Sequence, residues 1–197
     1  MYSSYENLSE IIDLWALLRP RRILDAGAGN GTLASAIRQY ERNLGLPMAA
    51  LVLVESYEPF VQELRRKCLG SEHHTTIERL LQHCRGRRIF DLALFVDVIE
   101  HMPKAQGHAV LAELLRVSRN VIVSTPRWFW PQTGWSNPCE AHLCLWTRSD
   151  FRRYSPRLRR PSGCSHLYLL GEDAPTVRRT LLKRRLRRVL YTLRRRA

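Results

Sequence analysis

Short apolar runs alternate with segments of helical spacing through the first 126 residues of the chain. The run at 49–55 is apolar without alternation, which is typical of a strand buried on both faces of a sheet. Strands joined by helix-length connections form βαβ units, and these units build parallel sheets covered by helices on both faces. The pattern therefore predicts an α/β fold, with strands at 22–25, 49–55, 90–96 and 120–124 and helices at 6–18, 32–40, 59–69 and 104–117.

The alternation ends at Pro126. A stretch rich in Trp and Pro follows at 128–146, and its irregular pattern predicts no element. Two further strands are expected at 154–160 and 165–170, and a short one at 75–78. The residues from 176 onward predict one long helix. We therefore expect a domain at 1–171 followed by a C-terminal helix at 172–197.

The first predicted strand leads into a glycine loop and then into a helix, through the residues Asp25-Ala26-Gly27-Ala28-Gly29-Asn30-Gly31. Glycine permits a tight turn and a close approach of the backbone to a ligand. Ligands of open α/β sheets bind at the carboxyl ends of the strands. The spacing differs from the G-x-G-x-x-G pattern of dinucleotide-binding folds, and no Gly-Lys-Ser/Thr follows it. The loop therefore indicates a ligand other than NAD or a nucleoside triphosphate.

An acidic residue, Glu55, closes the second predicted strand after the run Leu51-Val52-Leu53-Val54. A carboxylate at this place can accept hydrogen bonds from both hydroxyls of a ribose. A lone Glu at a strand end is usually a solvated loop residue. The glycine loop and Glu55 in this order favour a ligand that contains a ribose.

Three segments resemble one family, the class I S-adenosylmethionine-dependent methyltransferases. The segment 23–31 looks like the first motif of the family, and Glu55 stands where the family has its acidic ribose ligand. The segment 90–101, which ends in Asp97-Val98-Ile99-Glu100-His101, is similar to the family's fourth-strand segment. The resemblance covers roughly 21–170. It implies a Rossmann-like sheet of seven strands whose last strand is antiparallel, and S-adenosylmethionine as the methyl donor.

The resemblance also implies roles for single residues. In this family Glu55 would hold the ribose hydroxyls, and Asp97 would lie close to the donor and to the entrance for the acceptor. Glu78 is the best positional match for the adenine contact, although the local pattern departs from the usual Asp. The full set of donor-binding residues that the resemblance implies is Asp25, Gly27, Gly29, Gly31, Glu55, Glu78 and Asp97.

Two histidines are candidates for a catalytic role. Methyl transfer from a sulfonium mainly requires alignment and desolvation, and a general base is needed only when the acceptor atom arrives protonated. Imidazole titrates near neutral pH. His101 lies just past the fourth strand, and His142 lies in a segment that resembles a stretch of many small-molecule methyltransferases. A capping or packing role explains His101 equally well, and His142 also suits the wall of the acceptor pocket.

The same region carries a set of carboxylates and imidazoles, namely Asp97, Glu100, His101 and His142. A similar set holds a divalent metal in the ubiquinone-pathway O-methyltransferases and in small-RNA 2′-O-methyltransferases, and mixed oxygen and nitrogen ligands suit Mg²⁺, Mn²⁺ or Zn²⁺. The Glu-His pair is also common where no metal binds. We therefore expect no metal site and keep this set as the alternative.

Aromatic residues are concentrated in the irregular stretch after Pro126. They fit two roles equally well, stacking on a ring or sugar of the acceptor or forming the core of a lid. The residues are Trp128, Phe129, Trp130, Trp135 and Trp146.

The net charge of +14 is unevenly distributed. Residues 1–151 carry 17 basic and 16 acidic side chains, whereas residues 152–197 carry 15 basic and 2 acidic ones. Within the C-terminal segment 176–197, an apolar stripe spans an arc of about 100° on a basic helix. Three partners fit this segment: an anionic membrane surface, nucleic-acid phosphates, or the domain itself or a second subunit. The stripe consists of Leu182, Leu186, Val189, Leu190 and Leu193.

The location follows from features that the sequence lacks. No apolar run is long enough for a membrane span, the N-terminus has no secretory signal pattern, and the five cysteines are not spaced as a disulfide or zinc framework. These features predict a cytoplasmic protein, with the C-terminal helix as the candidate for contact with the inner face of a membrane.

The function expected from these observations is methyl transfer, most consistently to oxygen, on a small molecule, a lipid or a glycan intermediate. A nucleic-acid methyltransferase ranks below it, because the Asn/Asp-Pro-Pro-Tyr motif of amino-methylating enzymes is replaced here by Asp97-Val98-Ile99-Glu100. A third alternative is a partner subunit that binds the donor without catalysis.

Overall fold

The computed structural model describes residues 7–85, 87–129, 131, 137–160 and 163–194. Trp130, Trp135 and the last three residues of the predicted C-terminal helix lie outside this range. The strands are β1 (Arg22–Ala26), β2 (Ala50–Glu55), β3 (Ser71–His74), β4 (Phe90–Val96), β5 (Ser118–Pro126), β6 (Arg157–Arg160) and β7 (Ser165–Gly171). The helices are α1 (Leu8–Leu18), α2 (Thr32–Asn43), α3 (Glu58–Lys67), α4 (Ile77–Cys84), α5 (Lys104–Val117) and α6 (Ala174–Arg194), and two 3₁₀ turns lie at Ile99–His101 and Pro138–Glu140.

The strands form one seven-stranded sheet in the order β3-β2-β1-β4-β5-β7-β6. Strands β1 to β5 are parallel, and β7 runs antiparallel to both β5 and β6. This arrangement confirms the predicted fold, including the antiparallel last strand. After β1, the strands β2 and β3 are added on one side of β1, whereas β4 and β5 lie on its other side. The strand order therefore switches between β1 and β4, and a crevice opens at such a point above the carboxyl ends of the strands.

Hydrophobic cores lie on both faces of the sheet. In β4, the side chains of Ala93 and Phe95 join the core under α4 and α5, whereas Leu92 and Leu94 join the core under α1 and α2. Successive side chains of a strand point to opposite faces, so a strand with two covered faces carries apolar side chains on both of them.

The predicted strand at 75–78 is wrong. The strand lies earlier, at Ser71–His74, and α4 begins at Ile77. The Thr76 hydroxyl accepts a hydrogen bond from the Arg79 N–H at 3.4 Å, so it caps the first turn of α4. Thr at an N-cap satisfies one of the free N–H groups of a helix, and this local bond outweighs the preference of Thr for strands.

The C-terminal segment is helical over Ala174–Arg194. The start of α6 is buried, with Ala174 and Val177 exposed by 1% and 4%, and it packs against α1, β6 and β7. The predicted division at residue 171 stays a prediction. Among the described residues, no helix combines the length and the apolar character that crossing a membrane requires.

Candidate active site

A cavity of about 290 Å³ opens at the carboxyl ends of β1, β2 and β4. It lies where the strand order places the crevice of an open α/β sheet. Most of the residues predicted for donor binding or catalysis line it: Gly27, Gly29, Glu55, Glu78, Asp97 and His101. The predicted residues Asp25, Gly31 and His142 do not line this cavity.

The glycine loop forms one wall of the cavity by folding over the end of β2. The N–H groups of Gly27 and Ala28 donate to the Val54 carbonyl at 3.0 and 2.9 Å. Gly27 has φ +95°, and a Cβ there would lie 2.4 Å from Val98 Cγ2. Gly29 has φ +53°, and a Cβ there would meet no atom within 4 Å. The backbone at Gly29 is therefore open, and a ligand can approach it closely.

Gly31 has a structural role at the start of α2. It is the N-cap of that helix with φ +80°, and a Cβ would lie 2.7 Å from Leu64 Cδ2. The third glycine of the loop is thus required by packing between α2 and α3.

Glu55 joins the two loops that flank the cavity. Its Oε2 accepts from the Gly29 N–H at 2.9 Å, and its Oε1 accepts from the N–H groups of Ser56 and Tyr57, both at 2.8 Å. A carboxylate oxygen has two lone pairs, so Oε2 keeps one for a ligand while Oε1 is saturated. Glu55 therefore shapes the glycine loop and still offers an acceptor to the cavity.

Asp25 lies beneath the glycine loop at the end of β1. Its side chain is 3% exposed, and its Oδ2 has no hydrogen-bond partner within the described part of the chain. Burial, and then the nearby charge of Glu55, raise the pKa of Asp25 to about 7. This carboxyl group is poised to change its protonation state when the charge in the cavity changes.

Glu78 lies in the first turn of α4 and lines the cavity. Burial acts to raise its pKa, but hydrogen bonds from Gln106, from its own backbone and from Thr76 outweigh burial and lower it. The Gln106 amide donates to Glu78 Oε1 at 2.5 Å. Glu78 is thus an ionised wall residue held in place by α5.

Asp97 follows β4 with a left-handed backbone, φ +53°. Its N–H donates to the Ser124 carbonyl at 3.1 Å, and the Ser124 hydroxyl donates to its Oδ1 at 2.6 Å. A non-glycine residue in this conformation persists only where its surroundings impose it, and such residues concentrate at functional sites. The end of β5 therefore fixes Asp97 in the cavity wall.

The two predicted histidines lie together. The ring centroids of His101 and His142 are 5.1 Å apart and their planes are inclined by 49°. His101 Nδ1 lies 3.1 Å from the Ala141 carbonyl. A carbonyl can only accept, so Nδ1 carries the proton and Nε2 is left with a lone pair. His101 lines the cavity, whereas His142 stands next to it in the following segment.

Backbone bonds hold the two histidine segments together. The N–H groups of Leu143 and Cys144 donate to the Glu100 carbonyl at 2.8 and 3.3 Å, and the Trp146 indole N–H donates to the Ile99 carbonyl at 3.0 Å. The segment after β5 is therefore fixed to the turn after β4, and the distance between the histidines is set by main-chain contacts.

Glu100 completes a cluster with these histidines. Glu100, His101 and His142 each place one ligand-type atom within 4.8 Å of the others. Three of the four residues of the alternative metal set are thus together, and Asp97 is not in the cluster. Glu100 is 2% exposed, and neither carboxylate oxygen has a partner of normal geometry within the described residues. Burial, and then the charge of Asp97, raise the Glu100 pKa well above its ordinary value.

The aromatic residues of the irregular stretch divide between two environments. Trp146 is fully buried and belongs to the core under α5. Trp128 and Phe129 are 57% and 49% exposed. Trp146 is thus part of the core of the domain, and the two exposed rings follow the carboxyl end of β5.

Several residues that line the cavity were not predicted. They are Val98, Gln106, Asn137, Cys139 and Glu140 among others. Asn137 is buried and its side chain accepts from the Cys139 N–H at 2.9 Å, so it caps the short turn Pro138–Glu140. The Asn-Pro pair is a turn signal, but only the tertiary structure brings this turn to the cavity.

Several solved structures share this fold, and two of the three described here are named as methyltransferases. The methyltransferase domain of bacterial CtHen1 is 16% identical, with a TM-score of 0.59 over 86% of this chain and 99% of that one. The N-terminal domain of EvdMO1, solved with SAH bound, is 17% identical, with a TM-score of 0.60 over 83% and 80%. Magnesium protoporphyrin IX methyltransferase (ChlM) from Synechocystis PCC 6803, solved with bound SAM, is 16% identical, with a TM-score of 0.57 over 85% and 81%.

The chain therefore has the fold of the class I S-adenosylmethionine-dependent methyltransferases, as the three resembling segments predicted. Within that class, the model of the family "Methionine biosynthesis protein MetW" matches residues 8–145. The match spans more than half of the chain, and the chain belongs to this family. A search among curated proteins found no matching sequence.

Proposed function

We propose that the chain is an S-adenosylmethionine-dependent methyltransferase that acts at oxygen on a small molecule, a lipid or a glycan intermediate. The observation that carries this proposal is the cavity at the carboxyl ends of β1, β2 and β4. The open backbone at Gly29, the free lone pair of Glu55 Oε2 and the unblocked Nε2 of His101 belong to this one site.

The chemistry of the cavity suits a cationic nucleoside. S-adenosylmethionine carries a sulfonium and an ammonium group, and the carboxylates of Glu55, Glu78 and Asp97 line the cavity where it would bind. Glu55 Oε2 accepts a ribose hydroxyl, and the backbone at Gly29 borders the methionine part. That related folds are solved with SAM or SAH bound supports the same donor here.

The transfer itself needs one proton acceptor. A bound donor would supply an activated methyl group, which would pass from its sulfur to the acceptor oxygen and leave S-adenosylhomocysteine, while the acceptor hydroxyl gives up its proton. The hydroxyl proton passes to His101 Nε2, the nitrogen left free by the bond of Nδ1 to Ala141. His142 lies beside this ring and supports it.

Calorimetry with S-adenosylmethionine and S-adenosylhomocysteine tests donor binding. Binding is expected for the wild type and for Glu63→Ala, which removes a carboxylate that does not line the cavity. Weak or absent binding is expected for Glu55→Ala, which loses both the ribose acceptor and the bond to the Gly29 N–H. Absence of binding by a folded wild type, or equal binding by Glu55→Ala, rejects the proposed donor site.

A labelled-methyl screen against metabolite, lipid and RNA pools tests the acceptor class. Label in a small-molecule or lipid fraction is expected. His101→Gln is expected to lower the transfer rate by about 10²–10⁴-fold while donor affinity stays within about twofold. Label only in RNA would contradict the proposed acceptor class and assign the chain to the nucleic-acid methyltransferases. Donor binding without any transfer would identify a non-catalytic partner subunit.

A further inference from the structure

The helix α6 changes its environment along its length. Ala174 and Val177 are buried, and the partly buried Leu181 packs on the core shared with α1. One residue later the helix leaves that core, because Leu182 and Leu186 are 57% and 54% exposed. These two leucines belong to the apolar stripe that the sequence predicts.

The exposed leucines are not a continuation of the docked face. At 100° per residue, Ala174, Val177 and Leu181 fall within an arc of about 60°. The midpoint of Leu182 and Leu186 lies about 130° further around the helix axis. The helix would have to rotate by about a third of a turn to bring them to the domain, and this rotation would pull Val177 out of the core. Leu182 and Leu186 therefore do not pack on their own domain.

The charge around these leucines has one sign. Residues 174–197 contain ten Lys and Arg residues and no Asp or Glu. Lys183, Arg184, Arg185 and Arg187 are exposed. Lys183 and Arg185 flank Leu182 at about +100° and −60° around the axis. Long basic side chains at the borders of an apolar stripe can lay their stems along an apolar phase and keep their charges in water.

The partner must therefore offer an apolar phase with negative charge around it. A second copy of the helix would bring two strongly cationic segments together, which repel each other. Nucleic acid neutralises the cations but provides no apolar phase for two leucines. A bilayer that contains anionic lipids provides both, because amphipathic helices bury their apolar face at the acyl boundary and basic residues gain about 1 kcal/mol each near an anionic surface.

We propose that α6, from Leu182 onward, binds the surface of an anionic membrane. Ala174 and Val177 pack on the domain and join α6 to it. Leu182 and Leu186, on another side of the helix, enter the lipid. This inference does not depend on the proposed methyl transfer.

Flotation with lipid vesicles tests the proposal. The full chain is expected to bind vesicles of equal parts phosphatidylcholine and phosphatidylglycerol, and not vesicles of phosphatidylcholine alone. The double variant Leu182→Gln/Leu186→Gln keeps every charge and is expected to bind at least about tenfold more weakly. The matched control Leu44→Gln/Met48→Gln alters two side chains of similar exposure, 57% and 61%, and is expected to bind like the wild type.

Three results would overturn the proposal. Equal binding by the leucine variant and its control would show that the stripe does not enter lipid. Retention of single-stranded RNA at about 0.15 M salt without vesicle binding would assign the segment to nucleic acid. A dimer that becomes monomeric in the leucine variant, without vesicle binding, would assign it to a second copy. All four substituted side chains are exposed, so each variant is expected to keep the native fold. Circular dichroism of each variant checks this.

Discussion

The glycines of the loop differ in what they require, although the sequence presents them as one motif. Gly27 has no room for a Cβ beside Val98, and Gly31 has none beside Leu64. Gly29 alone faces open space. The spacing of the motif predicted the position of the loop, but only the packing of Val98 and Leu64 separates a structural glycine from one that borders a ligand.

Alanine at Gly29 and alanine at Gly27 are expected to differ in their effects on stability and on donor binding. Gly29→Ala places a side chain at positive φ, which costs about 1–2 kcal/mol, and it narrows the cavity, so donor affinity falls while the protein still folds. Gly27→Ala adds a clash with Val98 to the same backbone strain and is expected to destabilise the protein more. Urea unfolding and calorimetry measure the two effects, and equal losses of stability would contradict the packing argument.

Asp25 is expected to release a proton when the donor binds. Its pKa is about 7 because burial, and then Glu55, disfavour its charge, so about half of the molecules hold the proton at pH 7. A cationic ligand favours the ionised form, so affinity falls as the pH drops below 7. Calorimetry in phosphate and in Tris at pH 7 should give different apparent enthalpies, and the difference should vanish at pH 9 and in Asp25→Asn. Identical enthalpies for the wild type in both buffers would contradict the expected proton release.

Glu100 is expected to make stability fall as the pH rises. Its native pKa is raised by burial and by Asp97, so above the ordinary range of a carboxyl group the unfolded chain loses this proton while the native chain keeps it. The free energy of unfolding then decreases by up to about 1.4 kcal/mol per pH unit until native Glu100 ionises. Asp25, with its pKa of about 7, acts in the same direction up to about pH 7. Glu100→Gln should therefore reduce the slope between pH 5 and 8 by the contribution of Glu100, and Glu63→Gln should leave the slope unchanged.

Measuring the free energy of unfolding over the same pH range with Mn²⁺ or Zn²⁺ tests whether Glu100 holds a proton or a metal ion in the native protein. A cation held by Glu100, His101 and His142 keeps the carboxylate ionised and would raise the stability at pH 8. No shift with the ion, together with the slope described above, would identify the buried group as a neutral acid.

The buried or strongly amphipathic elements were more predictable than the exposed and irregular segments. The helix at 104–117 and the strand at 90–96 have the bounds that their patterns predict, because a central buried strand and an amphipathic helix carry strong signals. Strand β3 carries little signal, since its residues Ser71–His74 are mostly exposed at the edge of the sheet. The segment 137–146 has no periodicity, and its position follows from tertiary bonds to Ile99 and Glu100.

Helix α5 contains a glycine, Gly107, whose replacement by alanine is expected to lower the stability of the protein, against the usual effect of this substitution in a helix. Alanine in place of glycine inside a helix generally stabilises it by about 0.5–1 kcal/mol. At Gly107, however, a Cβ would lie 2.5 Å from Trp146 Cζ2 and 3.0 Å from Ile99 Cγ1. Gly107→Ala should therefore lower the stability by about 1–3 kcal/mol, whereas Gln106→Ala in the same turn should have a small effect. Urea unfolding compares the two, and a stabilised Gly107→Ala protein would contradict this packing.

At the scale of the whole molecule, the sequence assigned nearly all excess charge to the C-terminal end. The structure distributes it over two places, because Arg157 and Arg159 lie on the edge strand β6, outside the helix. Burial, and then Arg127, Arg148 and Arg159, lower the pKa of His166 on the adjacent β7. Charged side chains on an edge strand discourage pairing with other chains. The sequence predicted a strand and a helix for these two basic segments, and the structure adds that the strand lies at the edge of the sheet.

Ligand binding is expected to stabilise the whole domain, because the cavity is built from loops of three strands that meet only in the folded state. S-adenosylhomocysteine at 100 times its dissociation constant should add about 2.7 kcal/mol. Each kcal/mol raises the Tm of a domain of this size by about 2–4 °C. Thermal unfolding with and without the ligand measures the shift, and Glu55→Ala should show little of it at the same concentration. A wild-type Tm that does not change would contradict a site formed by folding.

The attachment of 137–146 to the turn after β4 has a consequence for how this protein can diversify. The chain between Arg127 and Asn137 is fixed at both ends, by the bond of the Arg127 N–H to the Cys164 carbonyl and by the buried cap of Asn137. His101 and His142 take their positions from bonds outside this interval. Insertions, deletions or grafts between 128 and 136 are therefore expected to leave the geometry of the histidine pair unchanged, so the length and composition of this interval can vary without disturbing the pair.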